Sequence, residues 1–202
     1  MAPVPLPIPP PTWRCTTTLC AGVRSTAGSL AARVAYALGA EPADPIVDQC
    51  HNLVEIRDGV YLHRKGAAPG DGRDVLVAGT RGTPSYLVAA HAGPDANFSV
   101  AHGAGRKMSR SDALRRGRAK HTVEELRRTP LGSLVVCGDR QLLFEEAPTA
   151  YKRIEQVIAD LVEHRLATPV ASTIPLVTYK TADLGPTTRT DRRGHRGGRG
   201  RS

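Results

Sequence analysis

A histidine stands directly before a small-residue loop that is rich in cations, in the segment His102-Gly-Ala-Gly-Arg-Lys-Met-Ser-Arg110. Gly103 and Gly105 permit positive φ angles and a close approach of the backbone to a ligand, as loops that cradle phosphates require. The three cationic side chains of the segment can balance phosphate charge, and its histidine can act as the reacting group. The spacing predicts a site where a nucleotide phosphate meets an imidazole. The alternative is an ordinary surface loop, which is what a basic, Gly-rich segment taken alone most often is.

A second polar group is predicted at the open end of a β-hairpin. Two apolar-rich runs within 51–67 flank Asp58-Gly59, the strongest short-range hairpin signal. A two-residue turn at this dipeptide brings His51 opposite Gly66, close to the basic end of the second run. Because both faces of the ribbon carry apolar residues, we expect the hairpin to lie inside a larger sheet. The alternative is that the histidine is an ordinary core or edge residue.

Hydrophobic periodicity predicts the elements that must hold these segments in place. Leu30, Val34 and Leu38 predict a helix that ends at Gly39, a longer helix is predicted around 154–162, and the pattern over 112–128 is also helical. Six strands are predicted, over 51–57, 60–64, 74–78, 84–90, 133–137 and 172–180. Strands mixed with helices in this order predict an α+β fold, in which helices pack on mixed β-sheets.

The net charge of +9 is concentrated in two stretches of the chain. Residues 101–128 contain nine Arg or Lys residues and three acidic residues, and residues 186–202 contain six Arg residues and one Asp. The first stretch predicts a path for RNA beside the segment 102–110, which we call the histidine loop. The Arg/Gly-rich second stretch is typical of disordered segments that bind nucleic acid. The alternative for the first stretch is a solvated helix face.

Several classes of protein are excluded by what the sequence lacks. There is no Gly-Lys-Ser or Gly-Lys-Thr of a phosphate-binding P-loop, no secretory signal pattern and no run long enough to span a membrane. Four cysteines without Cys-x-x-Cys spacing argue against a zinc site or a disulfide framework. We therefore expect a cytoplasmic protein without a membrane partner.

Six sequence blocks occur in one order between about residue 27 and about residue 182: HNLVE, HRKGA, AGTRGTPSYLV, HGAGRKMSR, EAPTAYKRIEQVI and PLVTYK. Together they resemble the C-terminal half of the RtcB family of RNA-splicing ligases. The resemblance implies an RtcB-like fold and a ligase that depends on GTP and Mn²⁺. Such an enzyme joins an RNA 3′-phosphate, or a 2′,3′-cyclic phosphate, to a 5′-hydroxyl end through a guanylated histidine.

The resemblance also implies roles for individual residues. His102 matches the histidine that becomes guanylated, and His51 matches a manganese ligand. The positions that match nucleotide contacts are Asn52, Ala78, Gly79, Thr80, Arg81, Ser85, Gly103, Ala104, Gly105, Tyr151 and Lys180. The loop that begins at Ala78 departs from the common Pro-Gly-Ser-Met-Gly pattern, since Thr80 keeps only the hydroxyl and Arg81 adds a charge.

Family members are about twice as long as this chain, so the resemblance implies an N-terminally truncated homologue. An Asp-x-x-Cys pair and two further histidines that complete the family's metal site have no counterpart before residue 27, and we expect Mn²⁺ to bind weakly. Three segments are predicted: a disordered Pro-rich head over 1–24, an RtcB-like ligase domain over 25–182 and a disordered Arg/Gly-rich tail over 183–202. Three functional alternatives stay open: a ligase that needs a missing N-terminal half or an activator, a non-catalytic nucleotide- or RNA-binding remnant, or a product that does not fold.

Overall fold

The structure, a computed structural model, describes residues 28–41 and 47–181. The predicted Pro-rich head over 1–24 and the predicted Arg/Gly-rich tail over 183–202 lie outside these residues. Within them, helix α1 covers 28–38. The elements that follow are β1 (Asn52–Arg57), β2 (Val60–Lys65), β3 (Ala67–Pro69), β4 (Asp74–Val77), β5 (Ser85–Ala90), β6 (Ser99–Ala101), α2 (Arg110–Lys120), α3 (Val123–Arg127), β7 (Leu134–Cys137), α4 (Arg140–Glu145), α5 (Ile154–Glu163), β8 (Ala167–Thr173) and β9 (Val177–Thr181).

The strands form four small sheets in the described part of the chain. Strands β1 and β2 pair as an antiparallel hairpin, and β3 pairs antiparallel with β6. Strands β4, β5 and β8 make a three-stranded antiparallel sheet, whereas β7 and β9 pair in parallel. The prediction of an α+β fold is confirmed, whereas the predicted mixed sheets are not found among the described residues, where each sheet is wholly antiparallel or wholly parallel.

The larger core joins two of these sheets beneath helix α5. Ile154, Ile158 and Leu161 recur at the four- and three-residue spacing of one helix face, and all three are buried. They pack with inward-facing residues of β4, β5, β3 and β6, such as Val77 and Val88. This core fixes the ends of β4 and β6, from which the two loops of greatest chemical interest depart.

A second core lies between helices α3 and α4 and strand β7. Its buried residues are Leu126, Val135, Cys137, Leu143, Phe144 and Ala147. Helix α2 packs on this unit through Ala113 and Gly117, the two residues of that helix that are buried. The side chain of Ser109 caps the start of α2 by accepting a hydrogen bond from the backbone of Asp112 at 3.1 Å.

The predicted hairpin register is confirmed. Arg57 pairs with Val60, and both residues of the intervening Asp58-Gly59 turn have positive φ angles, as a type I′ turn requires. The expectation that the hairpin lies inside a larger sheet is wrong for the described residues, because β1 and β2 form a sheet of two strands. Their outer apolar side chains stay exposed, with Ile56 at 63% of its full exposure.

Other helix and strand boundaries differ from those predicted from the sequence, for reasons that lie in the local residues. The helical pattern over 112–128 breaks into α2 and α3 because Thr122 and Glu125 form a capping box that starts a new helix. The strand predicted over 172–180 is two strands, which pair with different sheets. The short strands β3 and β6 escaped prediction because three residues carry no alternation to detect. The cysteine spacing argued against a disulfide framework, whereas Cys50 is disulfide-bonded.

No helix in the described ranges is both long and apolar enough to cross a bilayer.

The packing of α2 on α4 predicts that Gly117→Ala destabilises the protein. An added Cβ would lie 2.8 Å from the carbonyl oxygen of Phe144, which is backbone and cannot rotate away. Alanine ordinarily stabilises a helix interior by about 1 kcal/mol relative to glycine, but overpacking costs about 1 to 3 kcal/mol. We expect a lower urea midpoint for Gly117→Ala, with exposed Arg118→Ala on the same helix as the control. A raised midpoint for Gly117→Ala would contradict this packing.

Candidate functional site

The backbone of His102 is fixed by a short parallel bridge to the end of β4. Strand β6 ends at Ala101, and the carbonyl of His102 accepts a hydrogen bond from the amide of Ala78 at 3.0 Å. The amide of Ala104 in turn donates to the carbonyl of Ala78 at 2.8 Å. Gly103 lies between these bonds, and a Cβ on it would come within 2.9 Å of the same carbonyl. The small residue at this position therefore lets the histidine loop approach the sheet.

The imidazole of His51 stacks on that of His102. The two ring centroids are 4.1 Å apart and the ring planes are 7° from parallel. The open end of the hairpin produces this contact, because the amide of Gly66 donates to the carbonyl of His51 at 2.8 Å. Strand β3, which follows, pairs Ala67 with Ala101 and so carries the hairpin to His102. The predicted proximity of His51 and Gly66 is confirmed, and both lie beside the candidate nucleophile.

The surroundings of His102 favour its neutral form. Burial lowers the pKa of His102 below its ordinary value of 6.5, and the positive charge that His51 can carry lowers it further. Two unit charges about 4 Å apart repel by about 4 kcal/mol at the effective dielectric of a protein surface. The close approach of the two rings therefore favours the neutral form of His102. A neutral imidazole retains the lone pair that a nucleophile needs.

The side chain of Asn52, next to His51 in the chain, forms a hydrogen bond at the open end of the hairpin. Its Oδ1 accepts a hydrogen bond from the amide of Gly66 at 3.2 Å, and the residue itself is exposed. Its amide group therefore stands at the rim of the stacked histidines. This placement is compatible with a nucleotide contact, which stays a prediction.

The loop from Ala78 to Ser85 is closed by its own hydroxyl groups. Ser85 Oγ accepts from the amide of Gly79 at 3.0 Å, and Thr83 Oγ1 accepts from the amide of Thr80 at 2.7 Å. A Cβ on Gly79 would lie 1.8 Å from the carbonyl oxygen of Pro84, so only glycine fits there. Since Ala78 is bridged to His102, this closed loop lies next to the histidine loop.

Arg81 is buried and extends from this loop toward helix α4. Its guanidinium donates a hydrogen bond to the carbonyl of Leu143, and two of its nitrogens, Nε and Nη1, are buried without a hydrogen-bond partner among the described residues. Burial lowers the pKa of Arg81, although the nearby Cys137, Glu146 and Tyr151 favour its charged form. In the structure Arg81 therefore joins the loop to the second core, and the nucleotide contact implied for it stays a prediction.

A charged network adjoins the other end of the histidine loop. Arg106 Nη1 donates to Glu146 Oε1 at 2.8 Å and to the Tyr151 hydroxyl at 3.2 Å. The Tyr151 hydroxyl also donates to the carboxylate of Glu146, and Lys180 Nζ lies 3.9 Å from that carboxylate. The backbone reinforces the contact, because the amide of Lys152 donates to the carbonyl of Gly105 at 2.9 Å. Tyr151 and Lys180, far apart in sequence, are thus brought together around Glu146.

The protonation states of this network follow from its contacts. Burial raises the pKa of Glu146, but the hydrogen bond from Tyr151 and the charges of Lys180 and Arg106 outweigh burial and lower it. Burial and the hydrogen bond to Glu146 raise the pKa of Tyr151. The cluster consequently holds a carboxylate, a neutral phenol and two cations at neutral pH, with a surplus of one positive charge.

The histidine that matches a manganese ligand has few partners for a metal. Across 28–41 and 47–181, no group of three or more His, Cys, Asp or Glu side chains is arranged to hold a metal ion. His51 and His102 alone cannot complete a coordination shell, since first-row metals take at least four ligands. The described residues therefore do not fit a complete Mn²⁺ site.

Sequence reasoning found the members of this site but missed what connects them. It placed His51, His102 and the loop from Ala78 near one another, and the structure brings these together by direct hydrogen bonds and ring contact. It gave no role to Glu146, which bonds to three of the cluster's side chains. The available signal was a carboxylate five residues before Tyr151, inside a block that had already been singled out.

Comparison with known proteins matches residues 23–181 to the family model described as tRNA-splicing ligase RtcB. The RNA-splicing ligase RtcB2 of Escherichia coli is 46% identical over 142 residues, which are 68% of this chain and 38% of the relative. The RNA-splicing ligase RtcB of Mycobacterium tuberculosis is 39% identical over 160 residues, covering 67% of this chain and 36% of the relative. The tRNA-splicing ligase RtcB of Pyrococcus furiosus is 34% identical over 155 residues, and the match covers 16% of it. The chain spans well under half the length of each of these relatives.

The stacked rings predict that His51→Gln raises the pKa of His102 in the metal-free protein. Glutamine removes the positive charge that position 51 can carry and part of the ring that buries His102, and both of these lower the pKa of His102. A nuclear magnetic resonance titration of the His102 ring protons measures the shift. His63→Gln, at an exposed histidine of β2, is the matched control and should leave the His102 titration unchanged. An unchanged His102 pKa in His51→Gln would contradict the stack.

The charged network predicts that Tyr151→Phe destabilises the protein most at neutral pH. The phenol donates to an ionised carboxylate, and hydrogen bonds to charged groups contribute about 1.5 to 3 kcal/mol. The folded-state pKa of Glu146 is lowered, so its stabilisation is present above the ordinary value of 4.5 and is lost as the pH falls through the folded-state pKa. Urea unfolding at pH 7 and at successively lower pH should show a shrinking deficit. Exposed Tyr61→Phe should show none at any pH, and a Tyr151→Phe deficit independent of pH would argue against the ionised carboxylate.

Proposed function

The chain belongs to the RtcB family, and on this premise we propose that it is an RNA ligase that uses GTP to join an RNA 3′-phosphate, or a 2′,3′-cyclic phosphate after hydrolysis, to a 5′-hydroxyl end. The observation that carries the proposal is the imidazole of His102, which stacks on His51 at 4.1 Å beside a loop of small residues and cations, where burial lowers its pKa. The cytoplasm is the proposed location. Because the chain spans 38% of the Escherichia coli relative, the activity of the whole enzyme is part of the proposal.

The first chemical step uses the lone pair of the His102 ring. A ring nitrogen attacks the α-phosphorus of GTP, so that an N–P bond forms while the P–O bond to the leaving pyrophosphate breaks. Arg106 follows His102 at position four, and its charge stabilises the phosphate oxygens as charge develops on them. The product is His102 carrying GMP through a phosphoramidate bond.

Two transfers then return the histidine to its starting state. An oxygen of the RNA 3′-phosphate attacks the phosphorus of the bound GMP, and the N–P bond breaks to release neutral His102. The 5′-hydroxyl of the second RNA end next attacks the activated 3′-phosphate, which forms the phosphodiester and expels GMP. Both are phosphoryl transfers, which depend on positioning and on neutralisation of charge.

We assign the nucleotide's surroundings from the matched positions together with their placement. Tyr151 and Lys180, brought together at Glu146, contact the guanine base. The backbone around Gly103, Ala104 and Gly105 surrounds the α-phosphate. The remaining contacts are assigned to Asn52, Ala78, Gly79, Thr80, Arg81 and Ser85.

Manganese enters the proposal through the family resemblance alone. His51 would supply one ligand, but the described residues do not complete a site, and no chemical step is derived through the metal. The same observation favours a second candidate function, in which the chain is a non-catalytic remnant that binds nucleotide or RNA. A missing half of the enzyme, or an activator, would separate the two candidates by restoring activity.

The proposal predicts that the chain acquires a covalent label from α-labelled GTP in the presence of Mn²⁺. The label should survive a denaturing gel and be removed by acid, because phosphoramidate bonds are acid-labile. His102→Ala should abolish it, since the nucleophile is gone. His63→Ala, which removes an exposed histidine from β2, should label as the unaltered chain does.

Labelling that persists in His102→Ala would refute the assigned nucleophile. A folded, unaltered chain that takes up no label would leave the non-catalytic binding function as the better account. Adding the N-terminal portion of the Escherichia coli relative to that sample would then test whether the missing portion restores labelling.

A further inference from the structure

Helix α2 carries cations that have no carboxylate partner within 28–41 and 47–181. Arg115 forms an ion pair with Asp112 at 2.9 Å, and Arg110 lies 3.3 Å from a carboxylate oxygen of Glu145. Two further cations of the helix, Arg116 and Lys120, and Lys107 just before it are exposed and have no carboxylate within 4.0 Å among the described residues. The site described above uses neither Arg116 nor Lys120.

These unpaired cations line one groove, which we call the α2 groove. It has a volume of about 470 Å³, and its walls are Lys107, Met108, Ser109, Asp112, Arg116 and Lys120. Arg116 and Lys120 are one helical turn apart and so lie on the same side of α2. Asp112, the one acidic residue of the lining, already accepts from Arg115 and from Ser109. The groove therefore holds three unpaired positive charges.

The backbone beneath these cations is held in place. Ala113 and Gly117 of α2 are buried, and Gly117 lies against the backbone of Phe144 in α4. The amide of Lys107 donates to the carbonyl of Ala150 at 3.0 Å, which anchors the segment that leads into the helix. A fixed array of charges loses less entropy when it binds a polyanion than a flexible tail does.

The α2 groove begins close to the nucleophile. Lys107 follows His102 by five residues, so their Cα atoms are at most about 18 Å apart. The side chain of Arg106 turns inward to Glu146 and Tyr151, whereas Lys107 is exposed. The histidine loop thus supplies Arg106 to the charged network around Glu146 and Lys107 to the α2 groove.

We propose that the α2 groove binds the phosphodiester backbone of the RNA strand whose end is presented to His102. The inference rests on the proposed function for the identity of the polyanion. The groove lining contains no aromatic side chain and only one large apolar one, Met108. A protein interface is enriched in aromatic and apolar residues at its centre, so this lining suits phosphates better than a protein partner. Without a residue on which bases can stack, the groove binds RNA independently of base sequence.

The test compares the salt dependence of RNA binding between two matched double variants. Fluorescence anisotropy follows a labelled single-stranded RNA of roughly 12 nucleotides, without GTP, from roughly 50 to 200 mM salt. Arg116→Gln with Lys120→Gln removes two groove cations. Arg33→Gln with Arg165→Gln removes two exposed cations elsewhere and changes the net charge equally. Circular dichroism establishes that both variants are folded.

Each lost phosphate contact lowers the slope of log affinity against log salt by about 0.7 for a single strand. The Arg116/Lys120 double variant should therefore lose about 1.4 from the slope. Binding should weaken about 25-fold at 0.1 M salt if the two curves meet near 1 M salt. The Arg33/Arg165 double variant should bind as the unaltered chain does, and oligo-U and oligo-A of one length should bind alike.

Equal slopes for the two double variants would overturn the assignment of the α2 groove, as would a strong preference for one base sequence. Tighter binding of the unaltered chain to polyglutamate than to RNA at equal salt would also overturn it, in favour of an acidic protein partner. GTP labelling of the unaltered chain reports separately on the proposed function. A chain that takes up no label but shows the predicted loss of slope would keep the groove and lose the ligase.

Discussion

The stack of His51 on His102 is the contact on which the rest of the site depends. The two imidazoles lie 4.1 Å apart because three separate pairings meet there: the β1–β2 hairpin, the β3–β6 ladder and the bridge from Ala78 to Gly103. Each pairing is made by backbone groups, so the geometry does not rely on the packing of flexible side chains. Burial and the neighbouring ring lower the pKa of His102 and so favour its neutral form, in which an imidazole has the lone pair that a nucleophile needs.

Around this nucleophile the chain separates its positive charge into two places. Arg106 and Lys180 share the carboxylate of Glu146, with Tyr151 as the hydrogen-bonding neighbour. Arg116 and Lys120 of α2 have no such partner within 4.0 Å in the described part of the chain and are exposed to a polyanion. A buried, partly neutralised cluster can position one ligand, whereas exposed unpaired cations attract many phosphates weakly. The arrangement suits a reaction in which a nucleotide and an RNA strand must meet at one histidine.

Much of this could be predicted from the sequence, for reasons that particular elements make clear. The Asp58-Gly59 turn fixed the hairpin register, and that register alone set His51 opposite Gly66. The four- and three-residue spacing of Ile154, Ile158 and Leu161 was sufficient to predict helix α5. The three-residue strands β3 and β6 left no period to detect, although they place His102 beside the hairpin. The role of Glu146 also escaped prediction, because its partners Arg106, Tyr151 and Lys180 come from three segments that the fold brings together.

The most direct test of the account is to locate the nucleotide on the chain. After incubation with GTP and Mn²⁺, tandem mass spectrometry of peptides prepared at alkaline pH would assign a covalent GMP to a single residue. The account predicts the adduct on His102 and on no other side chain. An adduct on Lys107 or Lys180 would contradict it, because the stacked histidines would then be a structural contact and the reacting group a lysine.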